Sequence, residues 1–289
     1  QNGNHPLVFK RELGISTSEM KVPCGGCIGC RLEYSRQWAV RIMHEDSQHE
    51  ASSFITLTYD DNHLPQYGSL EPHDLKTFWR RLRRATPGSI RYFACGEYGE
   101  QLSRPHYHAC VFGWDFPDKY HWRTKNGNHI FRSETLEKLW PAGNSEIGTV
   151  TAQSAAYVAA YVTKKITGAR AESHYQRLSL ETGELYEVLP EFVRMSLKPA
   201  IGKSWFEEFG DETYRHDSVV INGKEQKPPR AYDKWLEEID DELLQHIKRQ
   251  RVVKAKQRGD NSPDRLRVKE EVKRAALATR SNNSRSLEK

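Results

Sequence analysis

Apolar residues recur along this chain at two spacings, and each spacing predicts its own kind of element. Between positions 31 and 49, Leu32, Trp38, Ala39 and Ile42 make one side of a helix. Its other side carries Arg31, Arg36, Arg41, Glu45 and Asp46. Phe54-Ile55-Thr56-Leu57-Thr58-Tyr59 is β-branched and aromatic and predicts a strand, after which Asp60-Asp61-Asn62 turns the chain. From Pro72 to Ala85, Leu75, Phe78, Trp79 and Leu82 fall at helical spacing, and Pro87-Gly88 stops the element. Apolar runs at 90–96 and 105–113 predict two strands that pair as a hairpin. The stretch from Trp114 to Arg132 mixes aromatic rings with cations without a clear period, so it reads as irregular. Ser133 caps a helix that runs to Trp140, and 147–150 is a short strand. Ala155, Val158, Val162 and Ile166 then give a helix an apolar face, ended by Gly168. Strand-like pieces at 186–189 and 192–197 flank Pro190. Val219 to Lys224 signals a hairpin through Asn222-Gly223. From Asp233 the pattern is helical and increasingly charged, with a break at 259–263.

The candidate chemistry sits in the middle of this pattern. In a strand, residues i and i+2 share a face, so His106 and His108 present two imidazoles side by side while Tyr107 points the other way. If the runs at 90–96 and 105–113 pair, Glu97 comes near the histidines as a third ligand, with Asp60 or Glu100 as the alternative. Imidazole suits the first-row divalent metals. On the later helix, Tyr157 and Tyr161 are four apart and lie one above the other, with Lys164 and Lys165 one turn on. Alone, a His pair or a Tyr pair marks ordinary packing. Together they are parts for phosphodiester chemistry.

Composition changes this picture in three places. With 37% hydrophobic residues, 7 Trp, 13 Tyr and 10 Phe among 289 positions, the chain can bury a core and is not of the disordered class. No run of 18 apolar residues predicts a membrane span, and no charged-then-apolar leader opens the chain. The net charge of +5 is uneven: residues 245–289 hold 14 Lys and Arg against 5 Asp and Glu. Such a tail is a nucleic-acid arm or a solvated solubility tail. Arg80, Arg81, Arg83 and Arg84 likewise suggest a phosphate-facing helix surface or a solvated one. Of five cysteines, Cys24, Cys27 and Cys30 form a Cys-x2-Cys-x2-Cys array interleaved with glycines. They read as reduced thiols or metal ligands. A structural zinc wants four ligands, so the fourth would come from His5, His44, Cys95 or Cys110.

Three motifs therefore stand in order: Phe54-Ile55-Thr56-Leu57-Thr58-Tyr59-Asp60, then Arg104-Pro105-His106-Tyr107-His108, then Tyr157-x3-Tyr161-x2-Lys164-Lys165. In this combination the chain resembles the HUH endonucleases, named for His-hydrophobic-His. It is most similar to the replication initiation proteins of small single-stranded DNA phages, the gokushovirus-like microviruses. The resemblance runs from about Val22 to about Trp235 and includes the Cys-rich lead-in. The run from Glu191 to Trp205 is also similar, although the family more often shows Arg and Gly where Lys198 and Ala200 stand.

The resemblance implies an α+β fold with an HUH-nuclease-like central antiparallel sheet and flanking helices. Its parts would be a Cys-rich lead-in and first helix at 1–50, a nuclease core with a C-terminal extension at 51–235, and a basic helical or disordered tail at 236–289. It implies a metal-dependent endonuclease and strand transferase that initiates rolling-circle replication. His106, His108 and Glu97 would hold Mn²⁺ or Mg²⁺. Tyr157 and Tyr161 would take turns forming a 5′-phosphotyrosine link, with either one able to make the first cut. Lys164 or Lys165 would lower a tyrosine pKa or bind phosphate. Expected partners are single-stranded and origin DNA and a host polymerase and helicase in the bacterial cytoplasm, with no membrane. The rival readings are an HUH transposase or relaxase, a non-catalytic DNA-binding protein stabilised by Zn²⁺ at Cys24, Cys27 and Cys30, and a metal phosphohydrolase without a covalent step.

Overall fold

The structure is a computed structural model that describes residues 23–99, 102–161, 170–179, 182–257, 259–260 and 262–286. In chain order the elements are α1 (Ile28–Asp46), β1 (Ser52–Thr58), α2 (Pro72–Ala85), β2 (Arg91–Tyr98), β3 (Pro105–Phe112), β4 (Tyr120–Lys125), β5 (Asn128–Arg132), α3 (Glu134–Leu139) and β6 (Ser145–Gly148). Then follow α4 (Ala152–Ala160), α5 (Arg170–Tyr175), β7 (Gln176–Leu178), β8 (Leu185–Glu187), β9 (Phe192–Met195), α6 (Lys203–His216), β10 (Val219–Ile221), β11 (Lys224–Gln226), α7 (Arg230–Ile239), α8 (Asp241–Lys256) and α9 (Pro263–Ser286).

Seven strands form one antiparallel sheet in the order β4-β5-β6-β1-β3-β2-β9. The pleat sorts its side chains onto two faces. On one face Ile55 and Leu57 of β1, Ala94 of β2 and Tyr107, Ala109 and Val111 of β3 meet Leu75, Phe78, Trp79 and Leu82 of α2. Leu136 and Trp140 at α3 close the same core. On the other face Phe93, Cys95, Cys110 and Phe112 pack under α1 and α4 through Ile42, Ala155, Val158 and Ala159. A third cluster joins α6, α7 and α8 around the fully buried Tyr232.

The structure departs from the sequence pattern in four places. The stretch that reads as irregular contains the β4–β5 hairpin, whose turn residues Asn126 and Gly127 have φ of 51° and 75°. Residues with positive φ at both turn positions suit the tight hairpin that Asn-Gly favours. The strand expected at 147–150 lies at 145–148 instead. The first helix begins at Ile28, so Cys30 sits inside its first turn rather than before it. Helix α6 carries no clear periodic signal, because its buried positions Phe206, Gly210, Thr213 and Tyr214 include two residues of little apolar character.

Gly143 shows how tightly the chain entering β6 is set against the end of β1. A Cβ on Gly143 would lie 2.3 Å from the Thr58 carbonyl oxygen and 2.4 Å from the Asp60 nitrogen. These are backbone atoms and cannot rotate away. Gly143→Ala is therefore expected to destabilise the fold by about 1–3 kcal/mol, as forced overpacking does, read as a lower midpoint in urea unfolding.

Candidate functional site

The β2–β3 register pairs Glu97 with His106 and Cys95 with His108, and β1 pairs Thr56 with His108 from the other side. Glu97, His106, His108 and Thr56 point to the face under α4. Glu97 is 3% exposed, and its Oε1 lies 2.8 Å from His106 Nε2 and 2.9 Å from His108 Nε2. Burial alone would push the Glu97 carboxyl up, but hydrogen bonds and charge from both histidines hold it down to about 2. It is a carboxylate at neutral pH.

The histidine orientations are set from behind. His106 Nδ1 lies 3.1 Å from the Arg104 carbonyl oxygen, which only accepts, so Nδ1 carries a hydrogen. Nε2 then faces the carboxylate, either protonated or offering a lone pair to a cation. Thr56 Oγ1 lies 2.9 Å from His108 Nδ1 and fixes the second ring in the same way. Two Nε2 atoms and one carboxylate oxygen, all within 4.8 Å of one another, fit a divalent metal ion.

Helix α4 brings the tyrosines to this cluster. Its start is held by a capping box: Thr151 Oγ1 accepts from the Ser154 N–H at 3.1 Å, and Ser154 Oγ accepts from the Thr151 N–H at 2.8 Å. Ala155, Val158 and Ala159 face the sheet. The Tyr157 hydroxyl donates to Glu97 Oε1 at 2.9 Å and lies 3.5 Å from His108 Nε2. The Tyr161 hydroxyl donates to the Tyr157 hydroxyl at 2.9 Å. Burial first, and then the charge of Glu97, raises both phenols above their ordinary value. The two differ in access: Tyr157 is 43% exposed and Tyr161 4%.

The remaining candidates sit elsewhere. Lys164, Lys165 and Glu100 lie outside the described residues. Asp60 serves its own turn, accepting from the His63 N–H at 2.9 Å and facing His63 Nδ1 at 2.8 Å. Arg80, Arg81, Arg83 and Arg84 are exposed on α2, which packs on the opposite face of the sheet from His106 and His108. Arg81 donates to the Leu139 carbonyl, and Arg83 lies over the Tyr92 ring. Cys24, Cys27 and Cys30 form a second possible metal cluster, with sulfurs within 4.8 Å of one another. The Cys27 N–H, donating at 3.3 Å, leads the backbone bonds that lower the Cys24 thiol to about 7. The described candidates for a fourth ligand are engaged elsewhere. His44 bonds the Tyr232 hydroxyl at 2.7 Å, and Cys95 and Cys110 are buried in the sheet. His5 lies outside the described residues.

Fold and centre define a class: an α+β protein whose central sheet carries two histidines and a carboxylate beneath a tyrosine-bearing helix. Known proteins place it further. Residues 52–166 match the family model of the replication-associated protein ORF2, a span that holds every described member of the centre. The chain is 34% identical over 245 residues to Replication-associated protein VP4 of Bdellovibrio phage phiMH2K, covering 81% of this chain and 73% of that protein. It is 35% identical over 252 residues to Replication-associated protein ORF2 of Spiroplasma virus 4, covering 81% and 74%. To Replication-associated protein ORF4 of Chlamydia phage 1 it is 27% identical, over 75% of this chain and 54% of that one. No solved structure matches the chain. The chain belongs to the family of microvirus-like phage replication-associated proteins. Among the described residues no helix is long and apolar enough to cross a membrane.

Sequence reasoning did not single out Thr56 as the partner of His108. The signal was available, because Thr56 alternates with Ile55 and Leu57 and so shares the histidine face. Thr56→Val removes the hydroxyl that faces His108 Nδ1 while keeping the side chain's shape. It is expected to weaken Mn²⁺ binding about tenfold or more, read by calorimetry, as loss of a histidine's outer partner does.

Proposed function

We propose that this protein initiates rolling-circle replication by cutting one strand of origin DNA, holding the 5′ end on a tyrosine and later rejoining it. The observation that carries this reading is the Tyr157 hydroxyl, a nucleophile 2.9 Å from Glu97 within the two-histidine cluster. His106, His108 and Glu97 would hold a divalent ion, Mn²⁺ or Mg²⁺, which when bound supplies positive charge to the scissile phosphate. Two imidazoles favour Mn²⁺ over Mg²⁺, which prefers oxygen.

The step balances simply. The Tyr157 oxygen forms a bond to phosphorus and the bond from phosphorus to the 3′ oxygen breaks. The phenolic proton leaves toward Glu97, the group it already faces, and the departing oxygen takes up a proton to become a 3′-OH. That 3′-OH is the primer a host polymerase needs, with a host helicase opening the duplex ahead in the host cytoplasm. The link conserves the phosphodiester for later closure.

The geometry orders the two tyrosines. Tyr157 is exposed and touches Glu97, whereas Tyr161 stands behind it, buried and bonded to its hydroxyl. Tyr157 attacks first in this reading, and Tyr161 acts once Tyr157 carries DNA. Lys164 and Lys165 retain the role the resemblance implies, charge near the phosphate. The arginine face of α2 enters only if DNA wraps the sheet edge. Cys24, Cys27 and Cys30 would hold Zn²⁺ at the start of α1, a thiolate set that this ion prefers.

An adduct assay tests the chemistry. Labelled single-stranded circular phage DNA is incubated with protein and Mn²⁺ and run on a denaturing gel with and without chelator. A chelator-sensitive protein-linked label is expected. Tyr157→Phe should abolish the first adduct; Tyr161→Phe should keep it and lose rejoining. Nicks without linked label would mean hydrolysis and end the tyrosine assignment. For the cysteines, purified protein is expected to hold one zinc per chain by elemental analysis, and Cys27→Ser to lose it. Full zinc in Cys27→Ser would exclude that site.

A further inference from the structure

Beyond the cluster, the site face of the sheet stays open toward its β4 edge. Helices α1 and α4 pack over β3 and β2. On the other side, a cavity of about 390 Å³ begins at His108 and Tyr157 and extends to Lys125, Asn128 and Ile130 of the β4–β5 hairpin. A second cavity, about 370 Å³, shares Thr56 and Glu146 with the first and reaches Trp122, Arg123 and Arg132. The two make one trough across β1, β6, β5 and β4. Gly148 contributes no side chain to its floor.

The far wall of the trough is aromatic. All six residues of the edge strand β4 are exposed, with Tyr120 at 52% and Trp122 at 53%. The register shifts between His121 and Arg123, and this irregularity lets Trp122 join Arg123 along the trough wall. Arg132 lies 5.3 Å over the Trp122 ring, and Arg123 is held by Glu146 at 2.7 Å. An exposed indole on a sheet edge is a liability unless something covers it.

We propose that this trough binds the single DNA strand flanking the scissile phosphate, with Trp122 as a platform on which a base stacks. The proposal rests on the nicking reading above, which anchors one end of the strand at Tyr157. Continuity favours this occupant, because Tyr157 and His108 line the trough themselves. Chemistry favours it too: an exposed ring beside guanidinium groups stacks any base and meets phosphate, the pattern of sequence-tolerant single-strand binding. Four strand spacings of about 4.8 Å separate β3 from β4, so the trough spans roughly 19 Å, room for several nucleotides.

The test measures binding apart from cleavage. A fluorescein-labelled oligothymidine is titrated with full-length protein in chelator and followed by anisotropy. Trp122→Ala should weaken binding roughly ten- to hundredfold, and Trp122→Phe should retain most of it. A 5-iodouracil oligonucleotide should photocrosslink to Trp122 or Tyr120, identified by mass spectrometry. Parent-like binding by Trp122→Ala, with crosslinks elsewhere, overturns the proposal. So does a concentration-dependent dimer that Trp122→Ala abolishes while DNA binding persists, which would assign the edge to a second copy of the chain. Because no cut occurs in chelator, absence of the tyrosine adduct would sink the nicking reading while leaving this binding contrast to be read separately.

Discussion

The register between β2 and β3 is the constraint on which the molecule depends. Pairing Glu97 with His106 sets the carboxylate against both imidazoles, and the same pairing sets Ala94 against Ala109 in the opposite core. A strand has a period of two, so a slip of one residue would turn His106 and His108 into the apolar core and Tyr107 out of it. Fold and site are thus specified by one set of backbone hydrogen bonds. The α2 core protects the site without touching it.

Within that frame, Glu97 Oε1 gathers three partners: two Nε2 atoms and the Tyr157 hydroxyl. A buried carboxylate is costly unless it is compensated, and here the compensation comes from the groups that would act on DNA. The same burial keeps both phenols protonated at rest. A tyrosine held this way is a poor nucleophile until positive charge arrives. Reactivity therefore waits on the ligands rather than on the tyrosine itself.

Much of this was legible in the sequence, and what was missed has physical causes. The strand at 54–59, helix 72–85 and the His-x-His pair are local patterns, and local patterns survive without tertiary knowledge. Glu97 was legible because the two strands are adjacent in sequence and pair as a hairpin. The β4–β5 hairpin was not, since six exposed residues from Tyr120 to Lys125 show no apolar alternation. Its Asn126-Gly127 turn was the one local sign. Thr56 and the difference between Tyr157 and Tyr161 were hidden for another reason. Both depend on which neighbours cover a side chain, and helix spacing alone treats the two tyrosines as equal.

The two faces of the sheet divide the labour. One is sealed by α2 and α3, where Phe78, Leu82 and Leu136 are fully buried and no polar group of the centre intrudes. The other is half covered, by α1 and α4, and half open. The centre lies on the seam between these halves. There Tyr157 is anchored by a packed helix yet reaches an accessible surface, a position that neither a fully covered nor a fully open sheet would provide. A long substrate can then lie along the open half while the reacting groups stay held by the closed one. That arrangement lets a sheet edge as exposed as β4 persist beside a buried carboxylate in one small fold.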